Sequence, residues 1–404
     1  MNNLAKVEIK NLIKVFGDHP KKALTLLKEG KSKDEILAAT RLAVGVNNVS
    51  FAVEEGEIFV IMGLSGSGKS TLVRCINRLI EPTAGMVFID GEDITFVDPK
   101  TLREIRRKKI GMVFQSFALL PHRTVLENTS YGLEIQGVEK SAREEQARQA
   151  LRLVGLQEWE NNLPTQLSGG MQQRVGLARA LASNPDILPM DEAFSALDPL
   201  IRKEMQDELL TLQKRMNKTI IFITHDLDEA LKIGDRIALM KDGAVVQIGT
   251  SEEILTSPAD DYVARFVEDV DRTKVLVAED IMKSPKPLLA PKDGPRMALR
   301  IMKENGLSSI FVVGRDNNLK GLVLAEDALK AIESGEKTLD NLILSNVPKV
   351  NPSTTITELL PLVAESKLPL AVVNDTNILI GIIVKGSVLA GLAGQLGKGE
   401  SAVD

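Results

Sequence analysis

Residues 58–80 read IFVIMGLSGSGKSTLVRCINRLI, an apolar run, a glycine-rich turn and a stretch with helical spacing set end to end. The central eight, GLSGSGKS at 63–70, fill every position of G-x-x-x-x-G-K-[ST]. Gly63, Gly66 and Gly68 let the backbone bend so that successive N–H groups converge on phosphate oxygens. Lys69 adds a positive charge beside the outer phosphates, and Ser70 offers a hydroxyl to Mg²⁺. Ser65, Ser67 and Thr71 flank these positions and complete the candidate nucleotide-binding set. A glycine-rich turn alone matches such a pattern by chance; a strand before it and a helix after it are the context its physics requires.

From residue 6 to about 272 the pattern stays α/β. Short apolar strands such as IFVIM at 58–62, IGMVF at 110–114 and IIFIT at 220–224 alternate with longer amphipathic stretches. This predicts a largely parallel sheet covered by helices. Between 116 and 165 the strands stop and 139–154 reads as a charged helix, so a helical subdomain is expected there. ILPMDEAFSALD at 187–198 ends an apolar stretch with two acids. Asp191 suits Mg²⁺, which takes one or two carboxylates plus phosphates, and Glu192 suits a base that positions or deprotonates water. Pro189 falls inside what should be a buried central strand, where it removes a ladder N–H. The strand is expected to persist at a cost of ~1 kcal/mol, with a displacement of Asp191 left open. LSGGMQQR at 167–174 precedes a good helix former, so Ser168, Gly169 and Gly170 form either an ordinary helix cap or a second anion site. One nucleotide has little use for two such loops on one subunit, so the second reading sets this loop against another copy's phosphate loop. His225 and Gln115 each follow a predicted strand at the sheet's carboxyl edge, where a side chain faces the ligand crevice, with a purely structural role as the alternative for each.

At 404 residues the chain has room for two or three domains. A net charge of −5 argues against a dedicated nucleic-acid binder. The single Cys75 excludes an internal disulfide. No apolar run approaches the roughly 20 residues of a membrane-spanning helix, so any membrane role is expected to be peripheral. From about 277 an internal repeat begins: IFVVGRDNNLKGLVLAEDAL at 310–329 matches LAVVNDTNILIGIIVKGSVL at 370–389 without a gap. Such a repeat implies paired strand-turn-strand-helix units burying one shared core. The glycine-bearing tail, 394–404, is expected to be disordered.

Taken together these residues resemble the ATPase family of ABC transporters over roughly 7–271. The resemblance implies a P-loop ATPase core with antiparallel β and helical subdomains, occupying 1–272. It makes 63–70 the Walker A loop, Gln115 the Q-loop residue and a contact of Mg²⁺, and 167–171 the signature loop. Asp191 and Glu192 then end the Walker B strand, Ser195 to Asp198 form the D-loop, with Asp198 near nucleotide, and His225 is the switch histidine. Phe16 takes the place of the aromatic that stacks on adenine, although an insertion over 18–44 weakens that placement. Two ATP molecules with Mg²⁺ would lie between head-to-tail copies, and a membrane permease and, indirectly, a substrate-binding protein would be partners, with no nucleic acid. Within the family, the insertion and stretches such as HDLDEALKIGDRIALMKDG at 225–243 resemble the ATPase of bacterial glycine betaine/proline uptake systems. Other small solutes, and a soluble non-transport ABC ATPase, are the alternatives.

The repeat, 277–393, resembles a tandem CBS module. Many such modules hold adenine nucleotides through G-h-h-[ST]-x-x-D, where h is apolar. Here Gly321 and Asp327 are present but Leu324 replaces the hydroxyl, and the second copy has Val384 and Ser387 at the two key positions. The resemblance implies regulation by ionic strength or cyclic di-AMP, with a purely structural dimerising role as the alternative. The basic run RRKK at 106–109 reads as a solvated helix face or a contact for anionic lipid. A peripheral place on the cytoplasmic side of the membrane follows from the whole.

Overall fold

The computed structural model describes residues 5–268 and 272–392, so the expectation for the tail falls outside the described residues. The chain divides into two compact units, one comprising the chain up to Ile254 with Pro258–Glu268, the other Leu255–Ser257 with the chain from Arg272.

In the first unit the strands are β1 (Val7–Phe16), β2 (Ala43–Val53), β3 (Ile58–Met62), β4 (Ala84–Ile89), β5 (Glu92–Asp93), β6 (Ile187–Asp191), β7 (Thr219–Thr224), β8 (Arg236–Lys241) and β9 (Ala244–Gly249). Its helices are α1 (Lys21–Lys28), α2 (Lys33–Thr40), α3 (Lys69–Ile76), α4 (Pro99–Lys109), α5 (Val125–Ile135), α6 (Lys140–Leu153), α7 (Gly169–Ala182), α8 (Pro199–Met216) and α9 (Leu227–Ile233). An antiparallel sheet runs β2-β1-β4-β5, and a second sheet runs β6-β7-β3-β8-β9 with only β9 antiparallel. Every residue of β3, β6 and β7 is buried, as expected for parallel strands covered on both faces. Between the sheets one core gathers Ile9, Val46, Phe59, Ile61, Leu72, Ile76, Ile221 and Ala238, with the Phe51 and Phe59 rings stacked at 4.7 Å. Helix α3 is embedded in that core, which fixes the phosphate loop at its N-terminus.

The strand carrying Pro189 forms, but it is not a central one. β6 lies at the end of the continuous ladder, and the 110–114 stretch expected as a strand touches it only through two isolated parallel bridges, Ile110 to Ile187 and Val113 to Met190. Gly111 N–H donates to the Ile187 carbonyl, Val113 N–H to the Pro189 carbonyl, and Asp191 N–H to the Val113 carbonyl. The odd-numbered amides of β6 therefore face 110–114, while the even side pairs with β7. The ring of Pro189 deletes the one bond that would have joined its amide to the Gly111 carbonyl, so the outer pairing breaks and the β7 ladder survives.

The insertion folds as the hairpin α1–α2. Ser32 and Glu35 form a reciprocal capping box at the start of α2, and Ala23 and Ile36 are buried against Val15, Leu42 and Val44. Lys33 Nζ lies 2.8 Å from Asp242 on the β8–β9 turn. The neighbouring Gly243 N–H donates to the Ser67 carbonyl at 3.0 Å, so the insertion braces the turn that braces the phosphate loop. α5, α6 and α7 pack on one another as a helical cluster. In the basic run, Arg106 donates to the Asn77 carbonyl at 2.8 Å and to that of Arg78, and Lys109 lies 2.8 Å from Asp90. Most of that charge is tied into the unit itself.

The second unit contains β10 (Ser309–Val313), β11 (Leu319–Leu324), β12 (Lys349–Val350), β13 (Leu370–Val373) and β14 (Leu379–Ile383). Its two hairpins repeat residue for residue: Val312 faces Gly321 as Val372 faces Gly381, and the register shifts at the next pair in both. Phe311, Leu322, Ala371 and Leu379 share one core, the shared burial that the repeat predicts.

Candidate active site

Three strands end at the site. After β3 the chain turns through Gly63, Gly66 and Gly68 at φ of +149°, +78° and +101°. A Cβ at Gly63 would meet the Met240 carbonyl, and one at Gly68 the Gly45 carbonyl, so only glycine gives this path. Gly68 caps α3 with no side-chain bond, which leaves its first-turn N–H groups and the positive end of its dipole to an anion. Lys69 is buried, its Nζ donating to the Gly63 and Leu64 carbonyls at 2.8 and 3.1 Å. Burial holds its pKa below the usual lysine value, opposed by Glu192 and Asp191. The buried Ser67 hydroxyl has no partner among the described residues. These features fit a phosphate chain.

Beside the loop, the Ser70 hydroxyl donates to Asp191 Oδ1 at 2.9 Å, and Arg74 Nη2 lies 3.4 Å from Oδ2. Pro189 has not moved Asp191 away from the loop. Ser70 and Asp191 together form a hard-oxygen set fitting Mg²⁺. Arg74 was missed in the sequence; its spacing of one helical turn from Ser70 was the available signal. Gln115 makes no hydrogen bond to this pair among the described residues. Its Nε2 donates to Glu192 Oε2 at 3.2 Å and to Ser195 Oγ at 3.3 Å, while His225 Nδ1 lies 3.4 Å from the same Glu192 oxygen. Gln115, Glu192, Ser195 and His225 thus converge from three separate segments. Glu192 takes a left-handed φ of +46°, held by its N–H on the Ile223 carbonyl and by Ser195 Oγ on its own carbonyl at 2.9 Å.

Phe16 lies beside Gly45 on the neighbouring strand β2. A Cβ at Gly45 would collide with its ring and crowd the Thr71 methyl, so both side chains border that glycine. Lys14 Nζ lies 5.1 Å from the ring centroid. Ser168 and Asp198 act as helix caps: the Ser168 hydroxyl accepts from Met171 N–H at 3.3 Å as the N-cap of α7, and Asp198 accepts from Ile201 N–H at 3.1 Å as the N-cap of α8. Ser168 and Gly169 are exposed, and Gly170 is buried against Ile201. Among the described residues no hydrogen bond joins Ser168, Gly169 or Gly170 to the loop at 63–71.

A strand-borne phosphate loop, a hydroxyl-carboxylate pair and a second acid held by glutamine and histidine together fit nucleotide hydrolysis. The family model described as ABC transporter matches residues 46–195, and that described as CBS domain matches 277–334 and 339–394. The glycine betaine transport ATP-binding protein of Bacillus subtilis is 58% identical over 390 residues, 96% of this chain and 93% of that one. The chain belongs to the ATP-binding subunits of ABC transporters. Another relative, the glycine betaine/proline betaine transport system ATP-binding protein of Escherichia coli, is 53% identical over 96% of this chain and 97% of its own length. A dimeric ATP-binding cassette solved in a post-hydrolysis state with ADP and Pi matches at a TM-score of 0.52 and 35% identity, covering 61% of this chain and 98% of that one. As an ABC ATPase, the chain hydrolyses ATP with Mg²⁺ in a reaction coupled to transport. No helix among the described residues is long and apolar enough to cross a membrane.

Leu324 caps the helix Ala325–Glu333 with no side-chain bond, and Ser387 is buried at 3% exposure. Asp327 does line an open groove of about 460 Å³ with Lys330, Ser334, Glu336, Asn341 and Leu344.

Proposed function

We propose that the chain powers uptake of glycine betaine or a related quaternary amine as the ATPase of an ABC importer. It would be peripheral to the cytoplasmic face of the membrane and joined there to a permease, with a substrate-binding protein acting through that permease. The observation that supports this cargo is likeness of more than half the residues, over nearly the full length, to proteins named for glycine betaine transport. A relative named for trimethylamine N-oxide transport, 47% identical over 82% of this chain, favours a second methylamine cargo as the alternative.

In this reading the α3 N-terminus, Lys69 and the loop amides bind and align the phosphates, and Phe16 stacks on adenine. Ser70 and Asp191 hold Mg²⁺, which supplies neutralising charge to the outer phosphates when bound. Glu192 orients water and accepts its proton, Gln115 keeps that carboxylate aimed, and His225 steadies developing charge. Ser168, Gly169 and Gly170 of a second copy, arranged head to tail with Asp198 at the seam, complete each site. The CBS unit regulates turnover in response to ionic strength or a nucleotide such as cyclic di-AMP. Its Lys330-bearing groove is one place for phosphate, and the missing hydroxyl at Leu324 weighs against ribose binding in the usual manner.

Uptake of labelled glycine betaine by cells lacking the chain, with and without added salt, tests the proposal. The expected result is salt-stimulated uptake restored by the chain and not by Lys69→Ala. Uptake unchanged by loss of the chain, with no other betaine carrier present, would reject the cargo. A chain with its CBS unit replaced should transport without a salt response; a retained response would reject regulation.

A further inference from the structure

Gln115 sits on an exposed loop, yet its amide has to stay on Glu192. Two residues later the backbone does something costly: Phe117 and Ala118 are consecutive left-handed residues, at φ of +55° and +50°. Residues with a Cβ enter this region singly and seldom in pairs. Both carbonyls point at one guanidinium, with Arg179 Nη2 donating to the Phe117 carbonyl at 3.0 Å and Nη1 to the Ala118 carbonyl at 2.5 Å. Arg179 lies on α7, the helix that begins at Ser168. No carboxylate pairs with it among the described residues, so its charge serves these two carbonyls.

The rest of the loop is held as firmly. Asn128, fully buried on α5, accepts from Leu120 N–H at 2.7 Å, and its Nδ2 reaches the Leu120, Arg123 and Thr124 carbonyls at 2.9 to 3.0 Å. The Phe117 ring reaches back to Gly169, lying 3.8 Å from where a Cβ there would be. A single short loop therefore touches Glu192 through Gln115 and the body of α7 through Arg179, and brings Phe117 near Gly169.

We propose that Arg179 is a positioning residue for ATP hydrolysis, holding Phe117 and Ala118 left-handed so that Gln115 stays on Glu192 and moves with α7. This rests on the hydrolytic reading of Glu192 given above. Without the two charge-assisted bonds the pair relaxes toward right-handed or extended backbone, its peptide planes turn, and Gln115 swings off the carboxylate. Arginine is required because its planar fork spans two carbonyls, whereas an ammonium is a single point.

The test is steady-state ATP hydrolysis by the full-length chain carrying Arg179→Gln, with ATP binding and thermal melting measured on the same samples. We expect kcat to fall about 10- to 100-fold, the range for a misplaced catalytic group, with KM for ATP within about twofold. Adding Ala118→Gly to Arg179→Gln should recover about threefold or more, because glycine enters the left-handed region without strain. A residue that merely packs α7 would lower the melting temperature and gain nothing from that glycine. Should Arg179→Gln melt below the assay temperature, Arg179→Lys is read in the same way, with a smaller loss and the same rescue. Unchanged kcat in the substituted chain, or a loss that Ala118→Gly leaves uncorrected, overturns the proposal. Failure of the underlying reading looks different: Glu192→Gln would then hydrolyse ATP at the parent rate, and the proposal would fall with it.

Discussion

Pro189 shows how a residue that offends the sequence pattern can be nearly silent in the fold. Its missing N–H points at the Gly111 carbonyl, away from β7, so the strand that aims Asp191 keeps its inner ladder. Pro189→Val should therefore restore one outer hydrogen bond and raise stability by about 1 kcal/mol, read as a higher urea midpoint at unchanged slope. A lower midpoint would mean that the fixed proline φ matters more than the bond. The side to which an amide points follows from register, and register is not written in a single strand's letters, which is why this position was legible only as a conflict. The phosphate loop was legible in full because its parts are contiguous and its glycines have one purpose. Gln115, Glu192 and His225 were readable one by one, but their meeting on a single carboxylate oxygen joins residues 77 and 33 positions apart and required the sheet.

At the scale of elements, the insertion between β1 and β2 looked like a disturbance and proves to be a brace. The sequence showed its length; that α1–α2 would pack on the strand ends and leave Phe16 beside Gly45 depended on the pairing of β1 with β2. The helix after His225 carries a different kind of tension. Glu229 on α9 is 5% exposed, and burial pushes its pKa up, opposed by bonds to Thr224 and Gln206. A carboxyl with a raised folded pKa holds its proton more tightly when folded. Its stabilising effect is thus complete below the ordinary carboxylate range and is lost as pH climbs through the raised value. Glu229→Gln, which cannot ionise, should match the parent near pH 4 and melt higher than it at pH 8. An equal difference at both pH values would show that packing, not ionisation, sets the effect.

At the scale of the molecule, the proposed pairing of two copies has a direct reporter. With Glu192→Gln, ATP and Mg²⁺ should shift the chain toward a dimer in size-exclusion chromatography while turnover drops about 100-fold or more. Undiminished hydrolysis would remove Glu192 as the base. The tandem repeat announced its pseudo-symmetry in the sequence, and the equivalent registers of its two hairpins follow from it; a ligand is not legible there, because the hydroxyl position departs from the pattern in both copies and the acid position in the second. One last consequence concerns Ser168. A hydroxyl has lone pairs and one hydrogen, and the cap on α7 engages only a lone pair. That bond turns the hydrogen away from the Met171 N–H and leaves it two staggered directions. Capping and donation are therefore separate ends of the same O–H group: the turn that starts α7 takes up a lone pair and leaves the hydrogen to donate.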